Sequence, residues 1–139
     1  MVQAMNVLIV EDDRALLEIL ENLLREDGHQ VTAVSSAYDA FDEMGRQQFD
    51  LALVDLKMRR MDGLELLESE KLRNPHVRMV IMTAYATVET AVAAMRRGAF
   101  DYLVKPFKLA DLRAVINRAA EEKQRGAAPR VSQGLAGSA

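Results

Sequence analysis

The chain has 139 residues, half of them apolar and 28% charged, with a formal net charge of -3. That length fits one domain that buries about two-thirds of the surface its unfolded form exposes. The charge balance leaves no electrostatic footprint for nucleic acid, and the absence of cysteine excludes disulfides and thiolate metal sites and suits a reducing compartment. Along the chain, short runs rich in β-branched residues alternate with stretches of helical period, the signature of βαβ units and a parallel sheet covered on both faces. VLIV (7–10) precedes a stripe of Leu16, Leu17, Leu20, Leu23 and Leu24, and VTAV (31–34) precedes Ala40, Phe41 and Met44. LALV (51–54) precedes Leu64, Leu66, Leu67 and Leu72, MVIM (79–82) precedes Val88, Ala91, Val92 and Met95, and YLV (102–104) precedes Leu109, Leu112, Val115, Ile116 and Ala119. All five runs are apolar enough to read as buried strands. Asp13, Ser36 and Thr87 stand where N-caps belong, and Gly28, Pro75 and Gly98 where helices stop.

After Gln124 the periodicity dissolves, so residues 1–125 are expected to form the domain and 126–139 a flexible tail or linker stub. The charged end of the last helix, EEKQR, reads as a solvated face. Met5, Met44, Met79, Met82 and Met95 read as core filler, Met58 and Met61 as loop packing. His29 and His76 fall in turns with no ligand cluster around them. No apolar run approaches the roughly 20 residues of a membrane span and no signal pattern opens the chain, so a cytoplasmic location is expected.

In an open parallel sheet, ligands bind outside the carboxyl ends of the strands. VLIV is followed there by Glu11, Asp12 and Asp13, LALV by Asp55, MVIM by Thr83, and YLV by Lys105 and Pro106. Carboxylates gathered in one cleft raise each other's pKa unless a cation neutralises them. Ligands that are oxygens only point to magnesium, with manganese as the alternative, and magnesium held by one or two carboxylates leaves room for a phosphate. Asp55 is then the candidate nucleophile for an aspartyl-phosphate, with Lys105 to neutralise phosphoryl oxygens and Thr83 to hydrogen-bond the product.

With these residues on the page the chain resembles the receiver domain of two-component response regulators over residues 5–123. The resemblance is carried by the acid pair Glu11–Asp12, Asp55 in LALVDLKM, MDG at 61–63, Thr83 in MTAYA and Lys105 in DYLVKPF. The stretch MTAYATVETAVAAMRRGAFDYLVKPF is most similar to receivers of nitrogen-regulation-type transcription activators. The resemblance implies a flavodoxin-like α/β fold, five parallel strands in the order 2-1-3-4-5 with helices on both faces. It implies that Asp55 accepts a phosphoryl group from a sensor histidine kinase, that Asp12, Asp55 and the Lys57 carbonyl hold the metal, with Glu11 acting through water, and that the Lys105–Pro106 bond is cis. It further implies a switch in which Thr83 turns to the phosphoryl group and Tyr102 rotates inward past Ala84. That switch would reshape the face of the fourth helix, fifth strand and fifth helix for a downstream effector, for transcription control, or for a homodimer. Such a protein assists its own phosphotransfer and slow self-dephosphorylation without being a dedicated enzyme. Lys57 and Tyr85, which flank the path of an attacking water, set that lifetime; neither is suited to orient the water and Tyr85 is bulky enough to obstruct it.

Two departures stand out: Arg59 where the family usually has proline, giving a looser loop, and Lys108 where an N-cap acid, serine or threonine is common. A haloacid-dehalogenase-like phosphatase would need its general acid where Lys57 stands. A mononucleotide-binding flavodoxin-like protein would need a glycine- or hydroxyl-rich loop in place of EDDRA. A phosphorylation-independent interaction module would usually lose one of the acids, Thr83 or Lys105, and all are present.

Overall fold

The computed structural model describes residues 3–58 and 62–126. The expectations for Arg59, Met61 and, apart from Gly126, the tail fall outside them. Five strands alternate with five helices: β1 Asn6–Val10, α1 Arg14–Glu26, β2 Gln30–Val34, α2 Ala37–Arg46, β3 Leu51–Asp55, α3 Gly63–Arg73, β4 Arg78–Thr83, α4 Val88–Arg96, β5 Asp101–Val104 and α5 Leu109–Gln124. The strands form one parallel sheet in the order β2-β1-β3-β4-β5, the expected flavodoxin-like arrangement.

Alternation along each strand divides the core in two. Val7, Ile9, Leu51, Leu53, Val80 and Met82 face Leu20, Leu24, Leu112, Val115 and Ile116 of α1 and α5. Leu8, Val10, Ala52, Val54, Met79 and Ile81 face Ala40, Met44, Leu66, Leu67, Ala94 and Met95 of α2, α3 and α4. Leu8, Ile9, Leu53 and Ile81 are completely buried, each contributing about 1.5–3 kcal/mol. The five methionines expected in the core are all buried.

Not every expected core position is one. Only β3 and β4 are buried throughout, and β1 from Val7 onward; β2 and β5, at the sheet's two edges, are partly open. In α3 the inward face is Gly63, Leu66, Leu67 and Glu70, so Leu72 points away and is 85% exposed. Phe41 is also exposed, its ring covered on one side by the Arg73 guanidinium at 3.7 Å. Val88, Val92 and Leu109 are exposed too; with β5 the last strand, the outer side of α4 meets no further element among the described residues. EEKQR is not uniformly solvated either. Glu122 is buried against Arg78 at the start of β4 at 3.4 Å, and Lys123 reaches Asp50 just before β3 at 2.9 Å.

Helix starts follow the expected chemistry. The Asp13 side chain accepts from the Ala15 and Leu16 amides, Ser36 from Asp39, Asp62 from Glu65 and Thr87 from Thr90, whereas Lys108 makes no side-chain cap. Gly28 and Gly98 end α1 and α4 at φ of +94° and +97°. His29 is buried and its Nδ1 accepts the Met5 amide at 3.1 Å. Burial lowers its pKa, against an opposing pull from Asp27.

Candidate functional site

Of the five parallel strands, β1, β3, β4 and β5 bring the candidate polar side chains to one edge of the sheet. Beyond β1 the backbone of Glu11 stays tied to β2, its amide bonded to the Val34 carbonyl at 3.1 Å. Its side chain turns inward, is completely buried, and accepts the Asp13 amide at 3.1 Å. Asp12, between them, is exposed. Asp55 ends β3 and is 5% exposed; its Oδ1 accepts the Lys57 amide at 3.4 Å. Ligand oxygens of Glu11, Asp12 and Asp55 all lie within 4.8 Å of one another.

Lys105 follows β5, its amide bonded to the Thr83 carbonyl at 2.7 Å. Its ammonium pairs closely with Glu11 and lies 3.4 Å from Asp55 Oδ1. The Lys105–Pro106 bond is cis. Burial pulls the Lys105 ammonium down, but the bond to Glu11 and the charge of Asp55 outweigh it and hold the pKa above its ordinary value. Asp55 goes the other way for a carboxyl: burial first, then the hydrogen bond and charge of Glu11, push it up to about 7 against the opposing Lys105. One lysine therefore does not neutralise the cluster. Oxygen donors at this spacing with uncompensated charge fit a hard divalent cation such as magnesium.

Thr83 is completely buried at the end of β4, and its hydroxyl accepts the Tyr85 amide at 2.8 Å. The proton of that hydroxyl stays free to donate. The Lys57 ammonium sits 5.7 Å from the centre of the Tyr85 ring, within cation–π range. Tyr102 does not join the acid cluster's hydrogen bonds; it packs against the α2–α4 side of the core and its hydroxyl meets Thr90 in α4 at 2.8 Å.

Gly63, quoted only within MDG, was given no role in the sequence reading, and Thr90 was not singled out. A Cβ on Gly63 would stand 2.6 Å from the Asp55 carbonyl oxygen and 3.0 Å from the Leu56 Cα, so α3 can begin this close to the Asp55 backbone only with glycine. Thr90, the partner of Tyr102, lies three residues after the cap Thr87, a spacing that marks a cap but says nothing about a strand twelve residues on.

The family model for the response regulator receiver domain matches residues 7–117. The chain belongs to that family. It is 47% identical over 115 residues to the response regulator protein FleR of Pseudomonas aeruginosa, covering 83% of this chain and 24% of that protein. It is 42% identical over 114 residues to the transcriptional regulatory protein ZraR of Escherichia coli, covering 82% and 26%. The chain thus spans about a quarter of the length of the curated relatives it matches. Among solved structures, NtrX of Brucella abortus superposes with a TM-score of 0.82 at 31% identity, covering 89% of this chain and 29% of that one. A receiver domain protein of Clostridium thermocellum gives 0.82 at 30% identity, covering 88% and 98%. The resemblance to receivers of nitrogen-regulation-type activators agrees with these relatives. Among the described residues no helix is long and apolar enough to cross a membrane.

Proposed function

We propose that residues 1–125 form a receiver that takes a phosphoryl group on Asp55 from a phosphohistidine of a sensor kinase, or from a small acyl-phosphate or phosphoramidate, and thereby switches an output. The observation that carries this is the juxtaposition of three carboxylates within 4.8 Å with the Lys105 ammonium 3.4 Å from Asp55, all at the carboxyl edge of the sheet. One Asp55 oxygen attacks phosphorus, a P–O bond forms, and the P–N bond of a phosphohistidine breaks with its electron pair left on the imidazole. Asp12 and Asp55, with the Lys57 carbonyl and with Glu11 through water, would hold magnesium or manganese, which when bound supplies charge neutralisation to the phosphoryl oxygens. Lys105 neutralises a further oxygen, and Thr83 donates its free proton to another. Lys57 and Tyr85, each two residues past a site residue and within cation–π range of each other, hinder the water that would remove the group.

Beside Lys105 lies a hollow of about 330 Å³ lined by Leu16, Ala84, Pro106 and Phe107 with Asp13 at its rim, an apolar rest for a protein phosphodonor. The exposed Val88, Val92 and Val104 of α4 and β5 offer the face on which an effector, or a second copy of the chain, is gained or lost. The relatives named as transcriptional regulators make transcription the expected output and the cytoplasm the expected location.

Incubation with donor and magnesium should add one hydroxylamine-labile phosphoryl group by intact mass, absent in Asp55→Asn and persisting for minutes after the donor is removed. An Asp55→Asn protein that still gained the group would overturn the assignment, and decay complete within seconds would overturn the protective role of Lys57 and Tyr85.

A further inference from the structure

Tyr102 reaches α4 through a hydroxyl network that also begins that helix. Thr87 caps α4, accepting the Thr90 amide at 3.0 Å, and Thr90 returns the bond by accepting the Thr87 amide at 3.1 Å. The Thr90 hydroxyl is also 3.0 Å from Thr87 Oγ1, 3.1 Å from the Thr87 carbonyl oxygen and 2.8 Å from Tyr102 Oη. A hydroxyl carries one proton and two acceptor positions. One acceptor position is filled by the Thr87 amide, and the proton has the Thr87 carbonyl or hydroxyl beside it. The contact with Tyr102 takes the capacity that remains, and either hydroxyl can donate across it. All of the hydrogen-bonding capacity of Thr90 is then used, and one side-chain oxygen links Tyr102 to the first turn of α4.

The sheet register ties this oxygen to the phosphoacceptor side. Thr83 pairs with Val104 and Ile81 with Tyr102, so Thr83, Ile81, Tyr102 and Val104 lie on one face of the sheet, beneath α4. We propose that Thr90 is a positioning residue of the switch, a latch that holds Tyr102 in its half-buried place and so opposes the inward rotation that Thr83 would trigger. This rests on the phosphoryl-driven reading above. Release of Tyr102 strips Thr90 of one partner in the N-terminal turn of α4, so the aromatic and the helix start shift together and the exposed Val88 and Val92 shift with them. The latch thus sets how far the equilibrium lies from the phosphoryl-bound arrangement before any donor arrives.

The test is a titration of the full chain with beryllofluoride and magnesium, followed by amide chemical shifts of residues 84–104. Thr90→Val keeps the branched shape and loses the oxygen; Tyr102→Phe loses the bond and leaves the capping box intact; Thr90→Ser keeps the hydroxyl. Thr90→Val and Tyr102→Phe should each move the ligand-free shifts toward the beryllofluoride-bound endpoint and tighten apparent binding by about 3- to 10-fold, the scale of one neutral hydrogen bond. Thr90→Ser should match the wild type, and the double variant should go little beyond either single one. Ligand-free shifts that stay at wild-type values in both single variants, or effects that multiply in the double variant, would overturn the latch. Should Thr90→Val not fold, Tyr102→Phe decides by the same two readouts. If the wild type fails to bind beryllofluoride, the phosphoryl reading falls and the latch with it; if the wild type binds and the variants behave as it does, only the latch falls.

Discussion

Burial, and then the hydrogen bond and charge of Glu11, place the Asp55 pKa at about 7, and Lys105 offsets them only in part. Between the ordinary value of 3.8 and about 7 the folded chain therefore keeps a proton that the unfolded chain has released, so metal-free stability falls as pH rises through that window. Asp55→Asn removes the slope. It should raise metal-free stability by about 1–2 kcal/mol near pH 8, a value reduced for solvent screening at the open side of the cluster, and leave it unchanged near pH 4. Thermal or urea unfolding at the two pH values checks this, and an equal gain at both would mean that the charge cluster is not its cause. Saturating magnesium should shrink the difference at the higher pH, because a cation relieves the same repulsion in the wild type. The acids themselves were legible in the sequence, since each follows an apolar run. That Glu11 is fully buried and already paired with Lys105, whereas its neighbour Asp12 is exposed, was not: the outcome depends on the Asp13 amide and on a lysine 94 residues away.

At the scale of elements, the strand runs were read to within a residue at each end and three of the caps by residue type, because both signals are local. What a helix turns toward the sheet was less legible. Leu72 and Val88 carry apolar side chains yet stand in solvent, while Glu70 and Glu122 are buried, because orientation is set by where the neighbouring strands end. Glu122 is the instructive case. The last turn of α5 is held to the lower edge of the sheet by Glu122 on Arg78 and Lys123 on Asp50, and Asp50 also accepts the Asn6 amide at 2.8 Å. Removing one partner of a buried ion pair leaves the other charge uncompensated. Glu122→Ala should cost about 3 kcal/mol in chemical unfolding, whereas Glu121→Ala, on the exposed side of the same turn, should change stability by less than about 0.5 kcal/mol. Equal effects would return EEKQR to the solvated face that its charge suggests.

For the whole molecule, the sheet separates the acid cluster from the uncovered face of α4. The acids, Thr83 and Lys105 occupy the carboxyl edge, α1 and α5 pack one face, and α4 lies over the other with its outer valines uncovered. A phosphoryl group adds about -1.5 to -2 charges at that edge, and a differential interaction of a few kcal/mol suffices to invert a two-state population. Under the proposed switch the response lies in the segment from Ala84 through Phe107, which runs from the Thr83 hydroxyl through α4 and Tyr102 to Lys105. Amide hydrogen exchange of the full chain, with and without beryllofluoride and magnesium, tests this most directly. The expected result is changed protection across α4 and β5, at residues 84–107, together with a change in self-association, while the lower edge around Asn6, Asp50 and Glu122 stays as it was. Changes confined to the loop after Asp55, with residues 84–107 silent and self-association unaltered, would contradict it.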